Sequence, residues 1–207
     1  MGLEATGTLR QGRASFTVRL HLDSDRLEAR GGARLDLPFG AVTAATLRPG
    51  GALHLRHAGG ETVLVFAEDR IAEKWARKIL RPKSLIDKLG VKPGSRVAVL
   101  GVDDAEFLAQ LVKRTGAKPP AKAGAAMDLI FYAADSAPEL AKLKTLRAHL
   151  QPAGAVWVVS RKGKAAGIKD TDVMRAARTA GLVDNKVCGF SATHTALKLV
   201  IPRDQRG

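Results

Sequence analysis

The sequence predicts two domains, a small β-barrel or sandwich closed by one helix, and then an α/β domain with a mostly parallel sheet. Three observations predict it. Residues 5–66 alternate polar and apolar side chains between closely spaced glycine-rich turns, residues 69–81 switch to helical spacing, and the remainder alternates apolar strands with amphipathic helices. A chain of 207 residues accommodates either one large domain or two small ones, so this change of period sets the boundary, at Pro82.

In the first domain, Phe16, Val18, Leu20 and Leu22 alternate with Ser15, Thr17, Arg19 and His21, the period of a half-buried strand. Further strands are expected around Leu27, 35–37, 42–47, 53–55 and 63–66, with turns at Asp23-Ser24-Asp25, Gly31-Gly32, Pro49-Gly50-Gly51 and Gly59-Gly60. Ile71, Ala72, Trp75, Ala76 and Ile79 then recur as one helical face. Asp69 is placed to cap its start, and Arg77 and Lys78 stand at the negative end of its dipole.

In the second domain, Ser84 and Asp87 have capping-box spacing for a short helix that Gly90 can end. Residues 96–101 (RVAVLG) form an apolar run suited to a strand buried on both faces, followed by a helix through Phe107, Leu108, Leu111 and Val112. Residues 115–126 (TGAKPPAKAGAA) have loop composition and no strand fits there. Expected next are strand 129–133, helix 139–150, strand 155–160, helix 171–180 and strands 185–190 and 197–201. Because no helix separates the last two, they are expected to close one edge as an antiparallel hairpin.

Composition bounds the chemistry. The single cysteine, Cys188, allows no internal disulfide and no multi-thiolate metal site, which suits a reducing, cytoplasmic setting. No apolar run reaches the length of a membrane span, and the start has no signal-peptide pattern. Net charge is +14, of which residues 81–207 supply +11 (22 basic against 11 acidic) and residues 1–80 supply +3 (12 against 9). Residues 81–207 therefore carry most of any attraction the chain has for anions or nucleic acid.

The order of strands followed by one Trp-bearing helix over residues 5–80 resembles the pleckstrin-homology-like (PH-like) fold. The block KSLIDKLGVKPGSRVAVLG at 83–101, followed in order by AAMDLIFYAAD, AGAVWVVSRKGKAAGIKDTDV and AGLVDNKVCGFSATHTALKLVIPR, resembles the bacterial domain of unknown function family 3052 over residues 83–203. The expected strand order is also similar to that of S-adenosylmethionine-dependent methyltransferases, a Rossmann-like arrangement. The resemblance implies a glycine-rich turn after the first strand and a ribose-binding acid after the second. Here the turn reads Gly101-Val102-Asp103-Asp104-Ala105, with one glycine, and the second strand is replaced by the 115–126 loop. No cofactor and no catalytic residue are therefore assigned. The expectation is a non-catalytic binding or interaction module, with a divergent methyltransferase and a nucleic-acid-associated protein as alternatives, and with a protein partner or self-association as its mode of action.

Candidate residues follow from position. Gly101, Asp103, Asp104 and Asp135 are placed to line a ligand crevice at the strand ends, although helix capping is the ordinary role of such aspartates. Arg161, Lys162, Lys164 and Lys169 form a basic, glycine-containing loop before a helix, a candidate anion contact that lacks the full phosphate-loop pattern. Cys188 and His194 are expected near opposite ends of the last hairpin, with the thiol inert in the core and Ser191, Thr193 and Thr195 around the turn. His54, His57 and His149 read as surface or boundary residues, and Arg10, Arg13 and Arg19 around the first hairpin are too loosely spaced for a membrane anchor.

Overall fold

The computed structural model describes residues 2–23 and 25–206. Ser24, part of the first expected turn, lies outside the described residues. The chain divides into two compact units, Met1–Lys83 and Ser84–Gly207. The secondary structure is mixed, with an antiparallel sheet in the first unit and a mixed sheet in the second.

The first unit contains β1 (Leu3–Gln11), β2 (Ala14–Leu22), β3 (Arg26–Gly31), β4 (Leu35–Pro38), β5 (Val42–Arg48), β6 (Ala52–His57), β7 (Gly60–Val65) and α1 (Asp69–Leu80). The sheet order is β4-β3-β2-β1-β7-β6-β5, with every pairing antiparallel. Every pairing joins sequence neighbours except that of β1 with β7, and this one non-local pairing joins the two halves of the sheet. Alternation sends Leu9, Val18, Leu20, Leu27, Leu53, Leu55 and Leu64 to a single core with the α1 face of Ala72, Trp75, Ala76 and Ile79. Trp75 is 2% exposed and its ring lies 5.0 Å from that of Phe66.

One local expectation is corrected here. Glu68, not Asp69, is the N-cap residue of α1, and it makes no side-chain cap bond. The Asp69 carboxylate instead accepts from the Gly51 N–H, tying the helix start to the β5–β6 turn.

The second unit contains α2 (Leu85–Leu89), β8 (Val97–Leu100), α3 (Ala105–Thr115), β9 (Met127–Ala133), α4 (Ala137–Leu140), α5 (Leu143–Ala148), β10 (Leu150–Arg161), α6 (Asp170–Thr179), β11 (Val183–Gly189) and β12 (His194–Val200). The sheet order is β11-β12-β10-β9-β8. β8, β9 and β10 run parallel, β12 pairs antiparallel with β10, and β11 pairs antiparallel with β12 as the outer strand of the closing hairpin. Alternate residues feed two cores. Val97, Val99, Leu129, Phe131 and Trp157 pack with Ile86, Leu89, Phe107 and Leu111 on one face. Ala98, Ile130, Tyr132, Val156 and Val158 pack with Leu140, Leu143, Leu146, Val173 and Ala177 on the other. The flanking helices thus change face between β8 and β9, the position at which such sheets open a crevice at their C-terminal edge.

The helix expected over residues 139–150 is instead two short ones, α4 and α5, and Leu150 already belongs to β10. Ala141 and Lys142 donate to the carbonyls three residues back, Pro138 and Glu139, a tighter winding than α. Leu140, Leu143 and Leu146 recur every three residues, and the tighter turn brings all three into the core. Both sheet edges are blunted. The Pro120 carbonyl accepts from Val99 N at 3.0 Å along β8, and a bulge between Asp184 and Lys186 interrupts β11. Among the described residues no helix is long and apolar enough to cross a membrane.

Candidate functional site

Because β8, β9 and β10 are parallel, the residues that follow them gather at one edge of the sheet. Gly101 ends β8, Ala134 and Asp135 follow β9, and Arg161 ends β10. Gly101 has φ +72°, which glycine adopts without strain, and a Cβ built there would lie 3.4 Å from the Ala133 Cβ. The β8 and β9 ends are therefore already in contact.

The aspartates of this edge are largely committed. Asp104 is the N-cap of α3, and its side chain accepts from Phe107 N at 2.9 Å, which is the expected capping role. Asp103 is exposed and makes no hydrogen bond or ion pair among the described residues. Asp135 does not cap the following helix. Ser136 is the N-cap of α4, and Glu139 Oε2 accepts from Asp135 N at 2.8 Å, Ser136 N at 2.9 Å and the Ser136 hydroxyl at 2.9 Å. Those donors, the Asp135 N–H first, hold the Glu139 carboxyl below its ordinary range. With its own N–H taken by Glu139, Asp135 turns its carboxylate to β10, where Oδ1 accepts from Arg161 N at 2.7 Å and Oδ2 lies 3.4 Å from Arg161 Nε. The residue that organises this corner, Glu139, was not singled out from sequence. The Ser136-x-x-Glu139 spacing of a capping box was the available signal.

The basic loop is placed beside this corner. Gly163–Ala165 form a 3-10 turn, and Gly167 is pressed so closely on the Asp135 carbonyl that an added Cβ would lie 2.1 Å from its oxygen. Four of the loop's backbone donors have acceptors within the fold. Arg161 N goes to Asp135, Lys162 N to the Thr193 carbonyl, Ala166 N to the Gly163 carbonyl and Lys169 N to Asp172 Oδ2. The first turn of α6 also carries two carboxylates, Asp170 and Asp172, which already answer the helix dipole. The side chains of Arg161, Lys162, Lys164 and Lys169 are exposed beside them.

The last hairpin corrects one expectation and adds a burial effect. Cys188 and His194 flank the same turn, since Cys188 pairs with Ala196 and the Phe190 N–H bonds the His194 carbonyl. The imidazole Nδ1 contacts Thr193 Oγ1 at 2.9 Å and Ser191 Oγ at 3.4 Å, and no contact between it and the thiol is present. Cys188 is 7% exposed, and burial pushes its thiol above the ordinary value despite nearby Lys186 and Lys88. His54, His57 and His149 are partly exposed and bond to Glu61, Thr62 and the Gly124 carbonyl. Among the described residues no cluster of His, Cys, Asp and Glu is arranged to hold a metal ion.

No family model matches the chain. No curated protein matches it either. Solved structures that resemble it include an S-adenosylmethionine-dependent methyltransferase from Aquifex aeolicus, 15% identical, covering 65% of this chain and 98% of that one with TM-score 0.45. An O-methyltransferase from Thermotoga maritima is 8% identical, covering 96% and 94% with TM-score 0.44. The N-terminal PH domain of human ARAP2 is 10% identical, covering 39% and 77% with TM-score 0.35.

Proposed function

We propose that residues 84–207 are a Rossmann-like, methyltransferase-like module that works by binding a partner or ligand and does not transfer methyl groups, carried behind a PH-like domain. A cytoplasmic location and kinship with domain of unknown function family 3052 are parts of this reading. The observation that carries it is β8 at the edge of its sheet, with only the Pro120 carbonyl where a second strand would pair. A cofactor crevice of this type draws a ribose-binding carboxylate from the end of that neighbouring strand. Two of the three carboxylates that remain are spent, Asp104 on the α3 cap and Asp135 on Arg161. Gly101 is the one glycine of the turn after β8, so close approach of backbone to a ligand is limited to one position.

The alternative reading, a divergent S-adenosylmethionine-dependent methyltransferase, is favoured by the change of helix face between β8 and β9 and by the unengaged Asp103 beside it. Calorimetric titration of the full chain with S-adenosylmethionine and S-adenosylhomocysteine separates the two. The binding-module reading expects no heat of binding and no rise in melting temperature. A saturable isotherm, with the stabilisation that any native-state ligand must give, would favour the alternative. Nucleic-acid association, suggested by the +11 half, is weakened as a reading because its aromatic residues, Phe107, Phe131, Tyr132, Trp157 and Phe190, are all buried.

A further inference from the structure

A cavity of about 550 Å³ lies at the opposite end of β8 from the crevice, between the strand's start and the 116–126 loop. Its lining is unusual in charge: Arg96, Lys118 and Lys122 line it, and no carboxylate does. Asp128, which follows the lining residue Met127, accepts from Arg96 N at 2.7 Å and from the Gln151 amide. None of the three cationic side chains has an ion-pair or hydrogen-bond partner among the described residues. Three like charges around one concavity repel one another, and an anion held between them removes that cost.

The strand edge supplies a fourth donor. The Arg96 carbonyl accepts from Asp128 N and Leu129 N, so its neighbour Val97 points its N–H and C=O away from β9, toward the cavity that Val97 helps line. Val99, two residues on, faces the same way and gives its N–H to Pro120. That bond closes the upper part of the edge and leaves too little free ladder for an extended peptide to add as a strand. The rest of the lining is apolar, with Pro119, Pro120 and Met127 prominent, and the volume is that of a small-molecule site. The chain enters β9 through Ala126 at φ +54°, a left-handed conformation that non-glycine residues seldom adopt, directly at this wall.

We propose that this cavity binds an organic phosphate monoester, its dianion held by Arg96, Lys118, Lys122 and the Val97 N–H and its apolar body lying on Pro119, Pro120 and Met127. The proposal is independent of the adenosyl question, because it concerns the other end of the strand and needs no nucleoside.

The test is titration of the full chain with phenyl phosphate, inorganic phosphate and benzoate, followed by amide chemical shifts. Phenyl phosphate should bind saturably, about tenfold more tightly than inorganic phosphate because of its apolar contact, and more tightly than the singly charged benzoate. The shifts should map to Val97, Lys118, Lys122 and Met127. The combined Arg96→Gln, Lys118→Gln and Lys122→Gln variant should weaken binding at least about tenfold, and a Lys162→Gln, Lys164→Gln and Lys169→Gln variant should leave it unchanged. If the first variant does not fold, the shift map on the unaltered chain decides. Shifts confined to residues 161–169, no saturation, or capture of an acidic peptide with no response to phenyl phosphate would overturn the proposal.

Discussion

Asp135 Oδ1 accepts the backbone N–H of Arg161 at 2.7 Å, so the end of β9 is tied to the end of β10 at the edge where a ligand would enter. The same carboxylate lies 3.4 Å from Arg161 Nε, but both side chains are substantially exposed, 43% and 60%, and solvent screens that pair. The backbone bond is the stronger part. Asp135→Asn, which keeps an acceptor oxygen, should therefore cost less than Asp135→Ala, for which about 1–2 kcal/mol is expected. Urea denaturation measures both, and equal losses would mean that the ion pair matters more than the backbone bond.

Gly167 sits against the carbonyl of the same aspartate. Gly167→Ala forces a methyl onto a backbone oxygen that the β9–α4 corner fixes, and should destabilise by roughly 1–3 kcal/mol. A melting temperature unchanged from the parent would show that the loop yields freely.

The corner should also respond to acid. Glu139 is held below its ordinary value of 4.5 by the Asp135 and Ser136 donors, and Asp87 below 3.8 by Ser84 and then Arg114. A carboxyl with a depressed folded value gives stability that is present above its ordinary value and is lost as pH falls through the folded one. Stability should decline below about pH 4.5, and Glu139→Gln combined with Asp87→Asn should flatten that decline. Unfolding midpoints between acid and neutral pH measure the slope, and an unaltered slope in the double variant would contradict this assignment.

Cys188 should behave in the opposite sense. Burial raises its folded value, so its contribution to stability is complete below the ordinary value of 9.0 and disappears as pH rises through the folded value. In the native chain a thiol reagent at mildly alkaline pH should react at least about tenfold more slowly than with the unfolded chain. Equal rates would place the sulfur in an accessible, activated setting.

In the first unit, Trp75→Ala removes the largest side chain of the α1 face and the contact with Phe66. A loss of about 3–5 kcal/mol is expected, measured by urea denaturation. A loss below about 1 kcal/mol would mean that α1 is not integral to that core.

Much of this architecture was legible because it depends on period. The alternation of Phe16 to Leu22 and the continuous run of 96–101 each led to a strand, and the proline-rich composition of 115–126 led to a segment without one. What could not be read depended on competition between near neighbours. Asp135 and Ser136 both suit a cap, and the choice between them was made by Glu139, which engages the Asp135 N–H and the Ser136 hydroxyl together. Asp69 was drawn from capping to Gly51, which is distant in sequence. The split of α4 from α5 was hidden because leucines every three residues also satisfy a helical pattern over one or two turns. The basic loop is legible from its side chains, whereas the acceptors of its Arg161, Lys162 and Lys169 N–H groups, on Asp135, Thr193 and Asp172, come from other segments.

The proposed binding-module role requires that the edge beyond Gly101 not grip an adenosyl group. Amide spectra of the labelled full chain with S-adenosylhomocysteine at about 1 mM, a concentration at which even weak binding is seen, test it directly. On that proposal the resonances of Gly101, Asp103 and Asp135 stay in place. Saturable movement of those three together would contradict it.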